Sequence, residues 1–505
     1  MNTKNINIIT FTVVMTLTIL IFPAAINAQP RLSGTISING EAQAGQVLTV
    51  NVSNLGGSGI ITFQWLRNGS IVIGSGSTYR LTTEDIDQTI TVTVIRSDNT
   101  GSITSAPFTF PSLFTVWSFT DELDSMIHRY YTRAFPNSKI NYTLIPSDQF
   151  ESKLNPMLLS GRGAPDVFAL ESAFVRNYVE SGQLLDLTDI VNRHRNKLAS
   201  YTIDVGTYNG RVYALSWQLC PGGMFYRRSL ARKYLGTDDP VVVQTYFSDF
   251  NKFIETAALL KEKSRGVARV ITGYGELYLA FLGARTQPWV VNNRLTIDPI
   301  MEQYMEISKT IRDNRYDARI SQWSEGWFAG MRGDLRDENG NRTETFAYFL
   351  PTWGLHYVLK TSASNTSGDW AMIKGPAAYR WGGIWIGANK NTKNPEQAKQ
   401  LIEWLTTNDQ FLTAWATDTG DVVSNLDVVN QIKGRFSEAF LGGQNHYAAF
   451  AEIAKSVNGR LTQRTDNIIE GLFQEEAAAF INGEKTKEKA LSDFRVLVRT
   501  QLGIN

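Results

Sequence analysis

The chain has a single cysteine, Cys220, among its 505 residues. One cysteine excludes an internal disulfide and every zinc site that needs two or more thiolates. Pro221 and Gly222 follow Cys220, and no histidine lies near it in the sequence. We therefore expect its side chain to be a small buried apolar group and not a nucleophile.

Histidine and net charge are also scarce. The 4 histidines show no HExxH or His-x-His spacing, and the chain has no G-x-S-x-G turn, P-loop or GxGxxG run. A formal net charge of +1, with no cluster of Lys and Arg, argues against a nucleic-acid partner. These absences favour a protein without metal, cofactor or nucleic acid.

Only one long apolar run occurs, from Ile8 to Phe22, with Lys4 before it and small residues up to Ala28 after it. The run falls short of the roughly 20 residues that span a membrane, and the small residues suit a signal peptidase. We expect residues 1–28 to be a cleaved signal peptide that exports the protein to the periplasm or cell envelope. An uncleaved anchor helix is the alternative.

Residues 29–110 have the texture of an all-β domain. Segments such as Val47–Val52 and Ile90–Ile95 alternate apolar with polar side chains, and Asn-Gly and Gly-Gly turns separate them. This pattern predicts a β-sandwich. The run from Gly34 to Val94 resembles bacterial immunoglobulin-like domains of cell-envelope proteins, which implies that Trp65 is the core tryptophan.

After Pro111 the pattern changes to strands that alternate with helices. Leu113–Trp117, Lys139–Leu144 and Asp166–Leu170 are predicted strands with helical segments between them. This order predicts a parallel sheet with helices on both faces.

Four passages of this α/β region, in the order Gly161–Val191, Tyr208–Gly236, Asp369–Gln410 and Thr417–Ser424, resemble family 1 extracellular solute-binding proteins. These are the sugar-binding subunits of ABC importers, of the maltose-binding-protein type. Ser216 and Arg227 depart from the family pattern, which has Pro and Asn there.

The resemblance implies a two-lobed α/β periplasmic-binding-protein fold of type II over residues 111–505. The first lobe would comprise about 112–216 and 376–425, and the second about 217–375 and 426–505. A small molecule, a mono- or oligosaccharide, would bind in the cleft. The partners would be the membrane subunits of an ABC permease, and the protein would act as a monomer without catalysing a reaction.

Candidate ligand contacts follow from where such a cleft lies, outside the carboxyl ends of the strands. Indole and phenol rings cover the apolar faces of a sugar, carboxylates accept its hydroxyls, and glycine lets backbone amides approach. The candidates are Trp117, Asp121, Glu122, Glu171, Ser172, Trp217, Tyr274, Glu276, Trp353, Trp381, Gly382, Gly383 and Asp418.

Several of these residues have an alternative structural role. Trp117 and Trp217 fit a packed core equally well, and Asp121 suits the cap of the following helix. Trp323 and Trp327, four residues apart, fit either a core or a binding surface.

Two other functions remain open at this level. The first is a secreted carbohydrate-active enzyme with an immunoglobulin-like accessory module, for which Glu171 and Glu276 are candidates for the paired carboxylates. The second is a surface adhesin that binds carbohydrate.

Overall fold

A computed structural model describes residues 29–42, 45–109, 113–337 and 339–505. The predicted signal peptide lies outside these residues. The chain divides into two compact units, one up to Ser112 and one from Leu113 to Asn505. Within the described part of the chain, we find no helix with the length and apolar character needed to cross a bilayer.

The first unit consists of short strands in two antiparallel sheets. One sheet has the order β1-β2-β5, and the other has the order β4-β3-β6-β7 with β8 also paired to β6. The strands are β1 Ser37–Asn39, β2 Val47–Asn51, β3 Ile61–Arg67, β4 Ile71–Gly74, β5 Thr78–Arg80, β6 Thr89–Arg96, β7 Ile103–Thr104 and β8 Phe108–Thr109. Trp65 is fully buried between Leu48 and Val92 in one apolar cluster, as the sequence predicted.

The second unit alternates strands and helices. Its strands are β9 Phe114–Ser118, β10 Ile140–Leu144, β11 Val167–Glu171, β12 Thr207–Tyr208, β13 Arg211–Val212, β14 Ala214–Ser216, β15 Pro221–Arg227, β16 Ala268–Arg269, β17 Val290–Val291, β18 Arg294–Leu295, β19 Glu344–Thr345, β20 Ala347–Pro351, β21 Trp370–Ile373, β22 Tyr379–Arg380 and β23 Ile384–Ala388.

The helices lie between and after these strands. They are α1 Asp121–Met126, α2 Thr132–Ala134, α3 Ser147–Ser160, α4 Val175–Val179, α5 Thr188–His194, α6 Ser200–Gly206, α7 Arg228–Leu235, α8 Pro240–Tyr246, α9 Phe250–Lys263, α10 Tyr278–Gly283, α11 Pro299–Asp313, α12 Glu325–Arg332, α13 Thr352–Gly354, α14 Lys360–Ser362, α15 Pro395–Thr407, α16 Asp409–Thr419, α17 Leu426–Ile432, α18 His446–Ala454, α19 Asp466–Ile481 and α20 Lys487–Leu502. Two π-helical turns, Ile127–Tyr131 and Leu355–Leu359, join α1 to α2 and α13 to α14.

The sheet of the first lobe has the strand order β10-β9-β11-β23-β14. Strands β9, β10 and β11 are parallel, which confirms the predicted βαβαβ order. Strands β23 and β11 pair in antiparallel fashion, as do β14 and β23. Because β23 comes from late in the chain, the first lobe is built from two separate stretches of the sequence.

The sheet of the second lobe is antiparallel and has β15 at its centre, paired with β20, β21 and β22. All residues of β20 and β21 are buried, as expected for a sheet with helices packed around it. Because β22 pairs with β15, the chain stays with this sheet through Arg380. The return to the first lobe therefore comes later than the position near 376 that the resemblance implied.

Three segments, 217–220, 381–383 and 420–425, connect the two sheets, and hydrogen bonds join them. Leu219 N donates to Val422 O at 2.6 Å, and Trp381 N donates to Cys220 O at 3.1 Å. The Cys220 side chain is buried, as predicted, and burial raises the pKa of its thiol. These crossing segments are where relative motion of the lobes would have to occur.

Candidate ligand-binding cleft between the lobes

An open cavity of about 450 Å³ lies beside the crossing segments, and we call it the aromatic compartment. Both lobes contribute to its wall. The lining residues are Thr120, Glu122, Glu171, Gln218, Trp353, Tyr357, Trp381, Gly382, Gly383 and Ile384. Strands β9 and β11 position three of them, because Thr120, Glu122 and Glu171 lie at or just beyond their carboxyl ends. This is the edge of a parallel sheet where ligands bind.

Three indole rings pack together, and two of them, Trp353 and Trp381, line this compartment. The rings of Trp323 and Trp353 are nearly parallel, with centroids 6.3 Å apart and planes at 9°. The Trp381 ring meets Trp353 edge to face at 5.4 Å, and Trp353 Nε1 donates to Trp381 O at 3.0 Å. Trp323 is 51% exposed. The three rings form a partly exposed aromatic surface, which is typical of sites that stack against sugar rings.

Gly382 and Gly383 bring the crossing backbone close to these rings. Their φ angles are +73° and +112°, which side chains rarely permit. A Cβ on Gly382 would lie 3.0 Å from Trp353 Nε1. Ser172 N donates to Gly383 O at 3.0 Å and so ties the loop after β11 to this segment.

Two carboxyl groups interact with each other, Glu122 in the wall of the aromatic compartment and Asp421 of a crossing segment. Burial raises the pKa of Glu122, although a hydrogen bond from the Tyr357 side chain partly opposes the shift. Burial and the nearby Glu122 raise the pKa of Asp421 to about 8. Trp415 Nε1 donates to Asp421 Oδ2 at 3.2 Å. The pair therefore retains a proton at neutral pH, since two adjacent carboxyl groups resist ionising together.

A second cavity of about 250 Å³ shares Glu171, Trp381 and Gly382 with the first, and we call it the charged compartment. Its charged lining residues are Glu171, Arg176, Arg285, Arg380, Asp466 and Glu470. Arg285 Nη2 lies 4.0 Å from Asp466 Oδ2 and 3.8 Å from Glu470 Oε1. Burial raises the pKa of Asp466 to about 6 and of Glu470 to about 7.

The structure brings most of the predicted residues together. Six of them line the aromatic compartment: Glu122, Glu171, Trp353, Trp381, Gly382 and Gly383. Ser172 lines the charged compartment.

Four predicted contacts line neither cavity, and the structure places them elsewhere. Trp217 is fully buried in the core, and Trp117 packs against the apolar cluster around Phe150. Asp121 is exposed in the first turn of α1, whose N-cap residue is Thr120. Asp418 is exposed on α16 and accepts a hydrogen bond from the Tyr130 hydroxyl.

Tyr274 and Glu276 line a different cavity, of about 390 Å³, on the second lobe. Glu276 is 2% exposed, and its Oε1 accepts a hydrogen bond from Trp327 Nε1 at 2.6 Å. Its predicted role as a ligand contact is therefore wrong, because its acceptors are used inside the protein. Trp327 is a core residue, whereas Trp323 belongs to the aromatic surface.

Tyr357, Asp421 and Gln218 were not among the predicted contacts. Tyr357 follows Trp353 by four residues within one helical segment, so helical spacing from Trp353 was a usable signal. Asp421 follows Asp418 by three residues, and the choice between them depends on where α16 ends. In the described part of the chain, no group of three or more His, Cys, Asp or Glu side chains is placed to hold a metal ion.

Comparison with known proteins agrees with this architecture. The family model for bacterial extracellular solute-binding proteins matches residues 117–410, more than half of the chain. The lactose-binding protein of Rhizobium radiobacter is 22% identical over 411 residues, which cover 76% of this chain and 92% of that protein. The arabinooligosaccharide-binding protein of Bacillus subtilis (strain 168) is 25% identical over 126 residues, but this match covers only 24% of this chain and 29% of that protein.

Solved structures show the same fold. A crystal structure of an extracellular solute-binding protein of family 1 superposes with a TM-score of 0.68 at 20% identity, covering 78% of this chain and 99% of that one. The galacto-N-biose/lacto-N-biose I-binding protein of Bifidobacterium longum, in complex with lacto-N-biose, gives 0.59 at 17% identity and covers 78% and 98%. The two-lobed fold implied by the resemblance is confirmed, and the chain belongs to the bacterial extracellular solute-binding protein family.

Proposed function

We propose that the second unit captures a sugar or oligosaccharide between its lobes and delivers it to an ABC permease. The observation that carries this proposal is the aromatic surface of Trp323, Trp353 and Trp381 beside an open cavity at the crossing segments. Flat apolar rings next to hydrogen-bonding groups match a molecule with C–H faces and a rim of hydroxyls.

The two lobes supply different groups to the ligand. Glu122 and Glu171 come from the first lobe, and Trp353 and Tyr357 come from the second. A ligand held by one lobe gains the contacts of the other only when the cleft closes. Its extra affinity for the closed form then shifts the population of the two states, and the permease recognises the closed form.

The known relatives support the choice of ligand class. Proteins named for binding lactose and arabinooligosaccharide, and a structure in complex with lacto-N-biose, share the fold and in part the sequence. We extend that ligand class to this chain.

We propose that the protein catalyses no reaction. An enzyme would need two carboxylates beside one substrate. The candidates Glu171 and Glu276 line different cavities, and Glu276 is enclosed by its own hydrogen bonds. Glu122 and Glu171 do share the aromatic compartment. The support for this proposal is therefore the membership of the chain in a family of binding proteins.

We also propose that the protein is exported by a signal peptide at residues 1–28 and that it acts as a monomer. The first unit would be an immunoglobulin-like module that connects the receptor to another part of the cell envelope. Its two antiparallel sheets around Trp65 support this assignment.

A thermal-shift screen of mono- and oligosaccharides, followed by calorimetry, tests the proposed function. A ligand that binds only the folded state raises the melting temperature. We expect at least one sugar to do so, and we expect Trp353→Ala to abolish the shift while Trp404→Phe, on α15 of the first lobe, retains it. Chromatography of the incubated sugar separates a receptor from an enzyme, because hydrolysis products would contradict the proposal.

A further inference from the structure

The aromatic compartment has acidic groups but no basic ones. Glu122 and Glu171 line it, and Asp421 lies next to Glu122. None of the described residues in its lining is Lys, Arg or His. These three carboxyl groups also form no ion pair within the part of the chain that the structure describes. By contrast, the charged compartment has three arginines in its wall.

Hydrogen bonds within the protein satisfy these carboxyl groups only in part. Tyr357 donates to Glu122, Ala173 N donates to Glu171 Oε2 at 2.6 Å, and Trp415 donates to Asp421. A carboxylate accepts about four hydrogen bonds, so acceptor sites remain on each group. In the same wall, the Thr120 hydroxyl oxygen is buried and has no hydrogen-bond partner.

The groups around Asp421 are neutral or acidic. Glu122 faces it from α1, Tyr357 from the π-helical turn, Tyr201 from α6, Cys220 from a crossing segment and Tyr447 from α18. The nearby cation is Arg380, whose charge lowers the pKa of the Cys220 thiol. Its Nη2 donates a hydrogen bond to Thr462 Oγ1 in the charged compartment. Glu171 also borders the arginines of the charged compartment, whereas no lining residue supplies a positive charge beside Glu122. A positive charge beside Glu122 would therefore have to come from the ligand.

The aromatic rings favour a positive charge for an independent reason. The faces of Trp353, Trp381 and Tyr357 carry negative electrostatic potential, and cations bind over such faces, most strongly over tryptophan. A neutral sugar uses these faces only for apolar contact. The carboxyl groups therefore determine whether the compartment binds a neutral or a positively charged ligand more tightly.

We propose that the aromatic compartment receives a protonated amino group, so that the ligand is an amino sugar or an oligosaccharide that contains one. This inference rests on the proposed function, since it assumes that a sugar binds in the cleft. The ammonium group donates to Glu122 and Glu171 and lies over the rings of Trp353 and Trp381. A charge-assisted hydrogen bond is about twice as strong as a neutral one, so the amino group adds affinity beyond that of a hydroxyl.

Calorimetry with three β-1,4-linked disaccharides of similar shape tests the inference on the full mature chain. Cellobiose carries hydroxyls, the disaccharide of glucosamine carries amines, and its di-N-acetylated form carries neutral amides. At a pH at which the amines are protonated, we expect the glucosamine disaccharide to bind about tenfold or more tightly than cellobiose, the size of one desolvated cation–π and carboxylate contact.

Charge-removing variants locate the effect. Glu122→Gln and Glu171→Gln keep the side-chain shape, and each is expected to reduce the tenfold preference to less than about threefold. The readout is the ratio of the two affinities, so a loss of affinity that is equal for cellobiose and the amine does not count as support. Asp418→Asn is the matched control, because Asp418 is an exposed acid outside both compartments, and it is expected to keep the full preference. Using two variants keeps the test valid if one fails to fold.

The outcomes distinguish this inference from the proposed function. If cellobiose or the acetylated disaccharide binds as tightly as the amine, the inference is wrong and the sugar-binding function stands. If spermidine binds in the cleft and no sugar does, the compartment takes an amine but the proposed function is wrong. Binding of none of these probes counts against both, and an amine preference that survives in both Gln variants contradicts the inference.

Discussion

Trp327 Nε1 donates a 2.6 Å hydrogen bond to Glu276 Oε1, and both side chains are buried in the second lobe. The same carboxylate accepts from Thr272 Oγ1 at 2.7 Å and from Phe349 N at 3.0 Å. Glu276 thus connects α12 to β20. Because Trp323 precedes Trp327 by four residues and packs against it at 5.1 Å, this network fixes the position of an exposed ring at the cleft.

We predict that Glu276→Gln weakens ligand binding without touching the ligand. An amide provides one oxygen instead of two, so one buried donor loses its acceptor, which costs about 1–3 kcal/mol of unfolding free energy. The Trp323 ring then loses its fixed orientation, and ligand affinity is expected to fall by about tenfold or less. Calorimetry gives the affinity, and near-UV circular dichroism reports the stacking of Trp323 on Trp353.

Glu476→Gln is the control for this experiment. Glu476 is 6% exposed on α19 and pairs with Lys485 at 2.6 Å, so its replacement also lowers stability. It lines neither compartment, and we expect its affinity and near-UV spectrum to match the wild type. If Glu276→Gln lowers stability but leaves the affinity and the near-UV spectrum unchanged, as we expect for Glu476→Gln, then Glu276 does not position the aromatic surface.

Trp323 itself has a backbone conformation that suits glycine. Its φ is +67°, which is unfavourable for a bulky side chain. We predict that Trp323→Gly relieves up to about 1 kcal/mol of backbone strain, which offsets only part of the stability lost with the ring contacts, and that the free energy of ligand binding weakens by about 1–3 kcal/mol. Denaturant unfolding and calorimetry measure the two effects separately.

The exposed Arg315, with a φ of +53°, is the matched position outside the cleft. Arg315→Gly should show the strain relief without a loss of ring contacts, and it should leave ligand affinity unaltered. A Trp323→Gly variant that binds as tightly as the wild type would exclude the ring from the site.

Residues of the cavity wall could be predicted from the sequence where a local pattern, such as the end of a strand, determines their position. Glu122 and Glu171 follow the ends of two parallel strands, and Trp381 adjoins a glycine pair, so spacing was enough to select three residues that line one cavity. Trp117 failed because residues of a strand alternate between faces, and its side chain lies on the face covered by α3. One position along a strand decides between a core and a cleft.

The remaining site residues depend on long-range contacts that spacing does not determine. Asp421 becomes important only because a crossing segment brings it to Glu122, almost three hundred residues earlier in the chain. Glu276 was predicted as a ligand contact because carboxylates suit sugars, but its partners Trp327 and Phe349 come from other elements. Periodicity predicts which residues are buried and gives no information on which buried acids find partners.

We predict that deleting residues 29–112 leaves ligand affinity within about a factor of two. Every residue that lines the two cavities belongs to the second compact unit. Calorimetry on the full mature chain and on residues 113–505 compares the two directly. A large loss of affinity, with an unchanged melting temperature of the shortened chain, would show that the first unit contributes to binding.

The carboxyl pair predicts a defined pH dependence of stability. Asp421 has a pKa of about 8 in the folded state against an ordinary value of 3.8, so its stabilising contribution is complete below about pH 4 and is lost as the pH rises through about 8. Relative to Asp421→Asn, the wild type should therefore lose unfolding free energy across this range, by at most about 1.4 kcal/mol per pH unit, the slope for one proton. Denaturant unfolding at intervals between these limits measures the difference. Glu122→Gln removes the neighbouring charge and should shift this loss of unfolding free energy to lower pH. If the difference in unfolding free energy between the wild type and Asp421→Asn is constant with pH, the two carboxyl groups do not share a proton.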